Sequence, residues 1–371
     1  MKLFMEKTNI QKFKTVKDFA QEFQIGEDDF ILISKSLYEN YFKLLNLNAT
    51  VIYKSKYGNT EPTDIMMDAL LEDFHKSNCS RIIAIGGGSV IDMAKILVLK
   101  NGKNTCDIFE KKIPLEKVRQ LIAVPTTCGA GSEVSNISVT EITKLNTKLG
   151  LAIDELYPDY AILIPELLTE LPYKFFATSA IDALIHSVES YMSPNANIYT
   201  EIFSKQAIEM ILKGFQIIAK EGENARFSIL DDFLTASNLA GIAFGNAGNG
   251  AVHAMSYPLS GRYHVPHGEA NYQFFVAVFK EYTMKNPTGK IHTLNKFLSN
   301  LLVCDINDVY IKLEELLNTI IVRKNLNEYG MKENEIENFV ISIIENQQRL
   351  LKQGYVNFSK EELIDIYKRL F

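Results

Sequence analysis

The 371-residue chain is short of several things. It has only four cysteines, at 79, 106, 128 and 304, and no two of them form a C-x-x-C pair. That excludes a disulfide framework and a cysteine-built zinc cluster, and it fits unpaired thiols in a reducing cytoplasm. Basic charge is not in excess. The formal net charge is −6, which argues against nucleic acid or an anionic membrane as a partner. Long apolar runs are missing. The nearest, 82–99, is interrupted by Asp92 and Lys95, so no bilayer span is expected. The stretch Leu3-Phe4-Met5-Glu6-Lys7 has no signal-peptide character. Histidine is scarce too, six in all, yet three of the six fall at 253, 264 and 267.

What is present is ordinary globular material, 47% hydrophobic and 23% charged. A chain of this length predicts about two domains. In the first part, apolar runs at 30–34, 50–53, 81–85 and 120–124 predict buried strands. Helical periodicity at 64–76 and 90–100 lies between them. Strands alternating with helices predict an α/β domain with a parallel sheet and ligands at the strands' carboxyl ends. The character changes near residue 170. Helical spacing then predominates, at 173–192, 196–220, 225–246, 268–284, 291–302, 307–322, 332–352 and 360–370. Ser359 and Glu362 predict a capping box for the last of these, with Phe358 placed to staple onto Leu363. The expectation is an α/β nucleotide-binding domain over 1–170 and an all-α domain over 171–371.

Gly86-Gly87-Gly88-Ser89, with Asp92 and Lys95 following, lies between a predicted strand and a predicted helix. Such a loop bares backbone N–H groups and adds the positive end of the helix dipole, which suits a diphosphate. The spacing is not G-x-G-x-x-G, and a plain tight turn is the competing reading. The next strand ends in a second polar loop, 125–133, with Thr126, Thr127 and Ser132. It reads equally as a ligand loop or a helix cap. Two such loops at successive strand ends suggest an extended ligand such as a dinucleotide. Lys148 is placed to reach its ribose or phosphate, or simply to face solvent.

Asp182 and His186 share a helix face at i,i+4 among apolar neighbours. Taken alone, they read as an ordinary Asp–His pair. With His253 and His267 they make an Asp/His₃ set that leaves room for a substrate oxygen.

With these motifs in view, the chain resembles the iron-containing (group III) alcohol dehydrogenases over nearly its whole length. The shared features are the glycine loop with Asp92 and Lys95, the 125–133 loop, Asp182/His186, and His253 with Pro266-His267-Gly268. The resemblance implies the dehydroquinate synthase-like two-domain fold shared with those enzymes. It also implies NAD(P) at the glycine loop and Fe(II) or Zn(II) on Asp182, His186, His253 and His267. The implied reaction is hydride transfer at a primary alcohol or aldehyde, in a homodimer or higher homo-oligomer. Stretches such as 171–176, 243–248 and 263–272 point within the family to a four-carbon hydroxy acid and its aldehyde as substrate pair. Other group III members, for short-chain alcohols, diols or butanol, form the runner-up. A dehydroquinate synthase-like lyase would need Lys and Arg around the metal, and glycerol dehydrogenases have one ligand fewer.

Three positions depart from the family pattern. Tyr257 stands where many members have a further histidine, thought to relay protons, so Tyr257 and His264 are the two candidates for that role. Ala130 replaces a more usual Thr. Ser34 stands where an acidic residue would favour NAD by bonding the ribose 2′-OH, which leaves NAD or NADP open. For a substrate carboxylate, Arg262 and Asn136 are the candidates.

Overall fold

The computed structural model describes residues 3–100, 102–145 and 147–371. Its backbone contacts fall into two units, Glu6–Leu171 and Pro172–Phe371, the second joined by residues 3–5.

The first unit holds a six-stranded, wholly parallel sheet. Its strands are β1 Asn9–Lys12, β2 Asp29–Ile33, β3 Thr50–Tyr53, β4 Arg81–Gly86, β5 Gln120–Pro125 and β8 Tyr160–Leu163, in the order β1-β8-β5-β4-β2-β3. The alternation of strand side chains explains the uninterrupted apolar runs. Phe30, Leu32, Ile82, Ala84, Leu121 and Ala123 point to one face, packed with Met67, Leu70, Phe74, Ile91 and Met93. Ile31, Ile33, Ile83, Ile85, Ile122 and Val124 point to the other, packed with Val16, Phe19 and Phe42. Helix α1 (Val16–Glu22) therefore covers one face, and α2 (Asp64–Ser77) and α3 (Gly88–Lys95) the other. The helix expected over 90–100 starts earlier and stops at Lys95, where the chain tightens into a short turn, Ile96–Val98.

Four strands lie outside the sequence expectation. β1 and β8 are short edge-ward pieces. β6 (Ile137–Ile142) and β7 (Thr147–Ala152) form a separate antiparallel pair. A buried ion pair holds this pair to α3. Asp92 Oδ2 accepts from Val139 N (3.0 Å), and Lys95 Nζ donates to Ile137 O (2.6 Å) and Ser135 Oγ (3.1 Å). The two charges lie 3.6 Å apart. Burial pushes the Asp92 carboxyl up and the Lys95 ammonium down, and their mutual attraction opposes both shifts.

The second unit is helical. Its main helices are α4 Tyr173–Met192, α5 Ile198–Glu221, α6 Leu230–Ala247, α7 Ala251–Tyr263, α8 His267–Lys285, α9 Lys290–Leu302, α10 Val309–Ile320, α11 Ile336–Asn346 and α12 Lys360–Leu370. Helix α4 is buried almost throughout and packs against α5, α6 and α8. Expected helices 225–246 and 332–352 are each interrupted, by tight turns at Glu223–Ser228 and Glu333–Glu335 and by a break at Gln347. The Ser359/Glu362 capping box forms. Phe358 stacks on Tyr282, with ring centroids 5.3 Å apart. The N-terminal segment docks here as well. Asn246 accepts from Met5 N (2.7 Å) and donates to Met5 O (3.0 Å), while Phe4 stacks on Phe203. Among the described residues no helix is long and apolar enough to cross a membrane.

Candidate metal centre and cofactor loop

Three helices supply the four candidate ligands. Asp182 and His186 lie one turn apart in the buried middle of α4. His253 sits in the first turn of α7, and His267 opens α8 directly after Pro266. One ligand atom from each of the four lies within 4.8 Å of the others. The rings stack: His186 on His253 (centroids 4.7 Å) and on Phe244 (4.4 Å), with His267 5.3 Å from His253.

Close helix approach makes this possible, and Gly268 permits it. A Cβ there would meet Thr178 O at 2.5 Å and Asp182 Cβ at 3.0 Å. The start of α8 can thus lie against the α4 backbone beside Asp182.

Two residues that sequence reasoning missed complete the surroundings. Glu189, buried on α4, accepts from His253 Nδ1 (2.5 Å) and from Val252 N (2.7 Å). Asn271, buried on α8, donates to Asp182 Oδ1 (2.7 Å) and lies 3.2 Å from His267 Nε2. Its Oδ1 accepts from the Ser256 hydroxyl. Helical spacing was the available signal: Glu189 is i+3 from His186, and Asn271 is i+4 from His267.

The donor set fits a divalent cation. His253 Nε2 is buried with no hydrogen-bond partner among the described residues, while its other nitrogen is engaged. An inward-facing unpaired ring nitrogen of this kind is costly unless a ligand meets it. Burial pushes the Asp182 carboxyl up, but the electrostatic influence of His186, His267 and His253 and the Asn271 bond outweigh it. The carboxyl is held below its ordinary range.

Of the two relay candidates, Tyr257 is half-buried on α7 with its ring centroid 6.0 Å from that of His267. His264 is exposed and caps the end of α7 in the left-handed conformation (φ 54°). Arg262 is 67% exposed and turned to Glu335 (3.6 Å). Asn136 belongs to the other unit, where its carbonyl accepts from Ile153 N (3.2 Å).

Seven of the cofactor candidates, Gly86, Gly87, Gly88, Ser89, Thr126, Thr127 and Ser132, lie at or just beyond the ends of β4 and β5. Gly86 and Pro125 are partners in register, and Thr126 N donates to Gly86 O (3.1 Å). Gly87 and Gly88 pack on the neighbouring loop, where added Cβ atoms would meet Thr127 Cγ2 at 3.2 Å and Ala130 Cβ at 2.7 Å. Gly87 caps α3 without a side-chain hydrogen bond. The first turn of α3 therefore presents backbone N–H groups that a phosphate can take. Ser89 lies half-buried in that turn, and Thr126 and Ser132 are buried beside it. The remaining three candidates have protein partners. Asp92 is committed to Val139 and Lys95, and Lys148, on β7, is ion-paired with Glu61. Ser34 Oγ accepts from Leu37 N (3.3 Å) and lies 3.3 Å from Ser36 Oγ.

The family follows from comparison with known proteins. Residues 2–165 match the model of the iron-containing alcohol dehydrogenases, and 176–371 match that of the Fe-containing alcohol dehydrogenase family's C-terminal part. The chain belongs to the iron-containing alcohol dehydrogenase family. A 4-hydroxybutyrate dehydrogenase from Clostridium kluyveri is 52% identical over 371 residues, covering 100% of both chains. Long-chain-alcohol dehydrogenase 1 from Geobacillus thermodenitrificans is 31% identical over 78% of this chain and 74% of its own. Among solved structures, the sulfoacetaldehyde reductase from Bifidobacterium kashiwanohense in complex with NAD+ superposes with a TM-score of 0.84. It is 23% identical and covers 99% of this chain and 98% of its own. That likeness establishes the iron-containing alcohol dehydrogenase fold, a parallel-sheet unit followed by a helical one.

Proposed function

We propose that this family member is a metal-dependent, NAD(P)-linked 4-hydroxybutyrate dehydrogenase. One observation carries the reading: the Asp/His₃ cluster occurs in a chain 52% identical, end to end, to an enzyme of that name. The reaction is 4-hydroxybutyrate + NAD+ ⇌ succinate semialdehyde + NADH + H+. In the oxidation the alcohol gives up a hydride from its carbinol carbon and a proton from its hydroxyl.

When bound, Fe(II) or Zn(II) supplies Lewis acidity toward the substrate oxygen, and NAD(P) accepts or returns the hydride. The protein does the rest. His186, His253 and His267 offer neutral nitrogens, and Asp182 offsets part of the ion's charge. An Asp/His₃ set accepts either metal. The N–H groups of Gly88 and Ser89 would hold the diphosphate at the α3 N-terminus, with Thr126, Thr127 and Ser132 as neighbouring polar groups. Tyr257 is the group we assign to carry the hydroxyl proton away, because its ring lies against His267. The protein is further proposed to act as a homodimer or larger homo-oligomer. Its four free cysteines support a cytoplasmic setting.

The test is NADH consumption with succinate semialdehyde by anaerobically purified protein, with and without a chelator. Metal-dependent turnover is expected, restored by Fe(II) or Zn(II). Turnover that survives complete metal removal overturns the reading. Oxidation of butanol as fast as 4-hydroxybutyrate overturns the hydroxy-acid assignment.

A further inference from the structure

Glu189 takes no part in the mechanism above, yet it is 2% exposed and sits under the candidate metal centre. A buried carboxylate requires compensation. Here both oxygens are used. Oε1 accepts from Val252 N at 2.7 Å, and Oε2 accepts from His253 Nδ1 at 2.5 Å. Two consecutive residues at the start of α7 are thus held by one side chain from α4. Gly250, which caps α7 without a side chain of its own, leaves the space; a Cβ there would lie 3.0 Å from Glu189 Oε1.

A carboxylate is an acceptor only, so the His253 proton must reside on Nδ1. Nε2 then carries the lone pair, and Nε2 is the buried nitrogen without a hydrogen-bond partner among the described residues. We infer that Glu189 is a positioning residue of the metal centre, holding His253 in the one tautomer that can donate to a cation. Its charge also matters. With neutral imidazoles, Asp182 and Glu189 together balance a divalent ion. Carboxylate–histidine–metal arrangements of this kind typically carry ~10–100-fold in metal affinity. The inference rests on the proposed metal-dependent reading.

Glu189→Gln separates a positioning role from a purely structural one. The amide oxygen can still accept from one N–H, but the amide nitrogen then faces the other donor. If it keeps the Val252 bond, it presents NH₂ to Nδ1, and the His253 proton is driven to Nε2. The experiment uses the full chain and two readouts apart from turnover. One is Zn(II) and Co(II) affinity by chelator competition, and the other is the imidazole ¹⁵N shifts of the metal-free protein. The expected result for E189Q is a ~10–100-fold loss of affinity and a tautomer change confined to one histidine. Unchanged affinity, with or without a fall in thermal stability, overturns the assignment. Should E189Q not fold, Glu189→Asp keeps the charge but draws the carboxylate back by one methylene, and the same affinity loss is required of it. Absence of metal binding by the wild-type chain is a separate result, which defeats the metal reading itself.

Discussion

Gly268→Ala puts the helix-packing argument to its sharpest test. A methyl group at this position would lie 2.5 Å from Thr178 O, 3.0 Å from Asp182 Cβ and 3.2 Å from Thr178 C. Ordinary van der Waals contact begins near 3.4 Å. The closest approach must therefore open by about 0.9 Å (3.4 less 2.5) against a backbone carbonyl, which has no rotamer to give. Overpacking of this kind costs about 1–3 kcal/mol. In a unit of about 200 residues, each kcal/mol lowers the melting temperature by about 2–4 °C. The effect on the site is larger in proportion. His267 immediately precedes the substituted residue and Asp182 is one of the atoms struck, so the displacement separates two ligands directly. Metal–ligand distances tolerate only about 0.2 Å. We expect the melting temperature to fall modestly and Zn(II) affinity, measured by chelator competition, to fall by more than tenfold. A variant that melts several degrees lower but binds metal as tightly as the wild type would refute the reasoning, because the site would then be able to follow the helix.

Other expectations concern the relay, the carboxylate candidate and the buried pair. Tyr257→Phe should alter the basic limb of the pH–rate profile, and His264→Ala should leave it in place; the reverse pattern would move the relay to His264. His264→Gly should raise stability by up to about 1 kcal/mol, since the left-handed conformation at φ 54° is costly for a side chain with a Cβ; denaturant unfolding measures this. Arg262→Ala should change KM for 4-hydroxybutyrate less than twofold, because the guanidinium is 67% exposed and turned to Glu335; a tenfold rise would restore it as the carboxylate anchor. Lys95→Ala should destabilise the protein by about 3–5 kcal/mol, since it strands the buried Asp92 carboxylate. A loss under 1 kcal/mol in urea unfolding would show that the pair is not what holds the β6–β7 hairpin to α3.

The elements that were readable in the sequence share a physical feature. The runs at 30–34, 81–85 and 120–124 are apolar on both faces, because helices cover both sides of the sheet. The strands β1 and β8 are four residues each, too short for a pattern to emerge. Helix α7 was not predicted as such, although it contains the histidine-rich stretch. It carries Pro258 and Gly261 and is buried over most of its first three turns, so neither propensity nor amphipathic period marks it. It persists because α8 and α11 pack on it and Glu189 holds its first turn.

The candidate site divides along the same line. Local spacing was enough to bring Asp182 and His186 onto one helix face and to set three glycines between a strand and a helix. Those are short-range consequences of backbone geometry, and the sequence by itself determines them. That His253 and His267 join Asp182 depends on contacts across 70 or more residues, and on α8 being able to lie against the α4 backbone at Gly268. That Glu189 and Asn271 serve the ligands, and that Lys148, Ser34 and Arg262 are engaged elsewhere, depends on which groups meet when the helices and strands pack. Hydrogen-bond partners are chosen by distances of tenths of an ångström, and only the tertiary structure sets those.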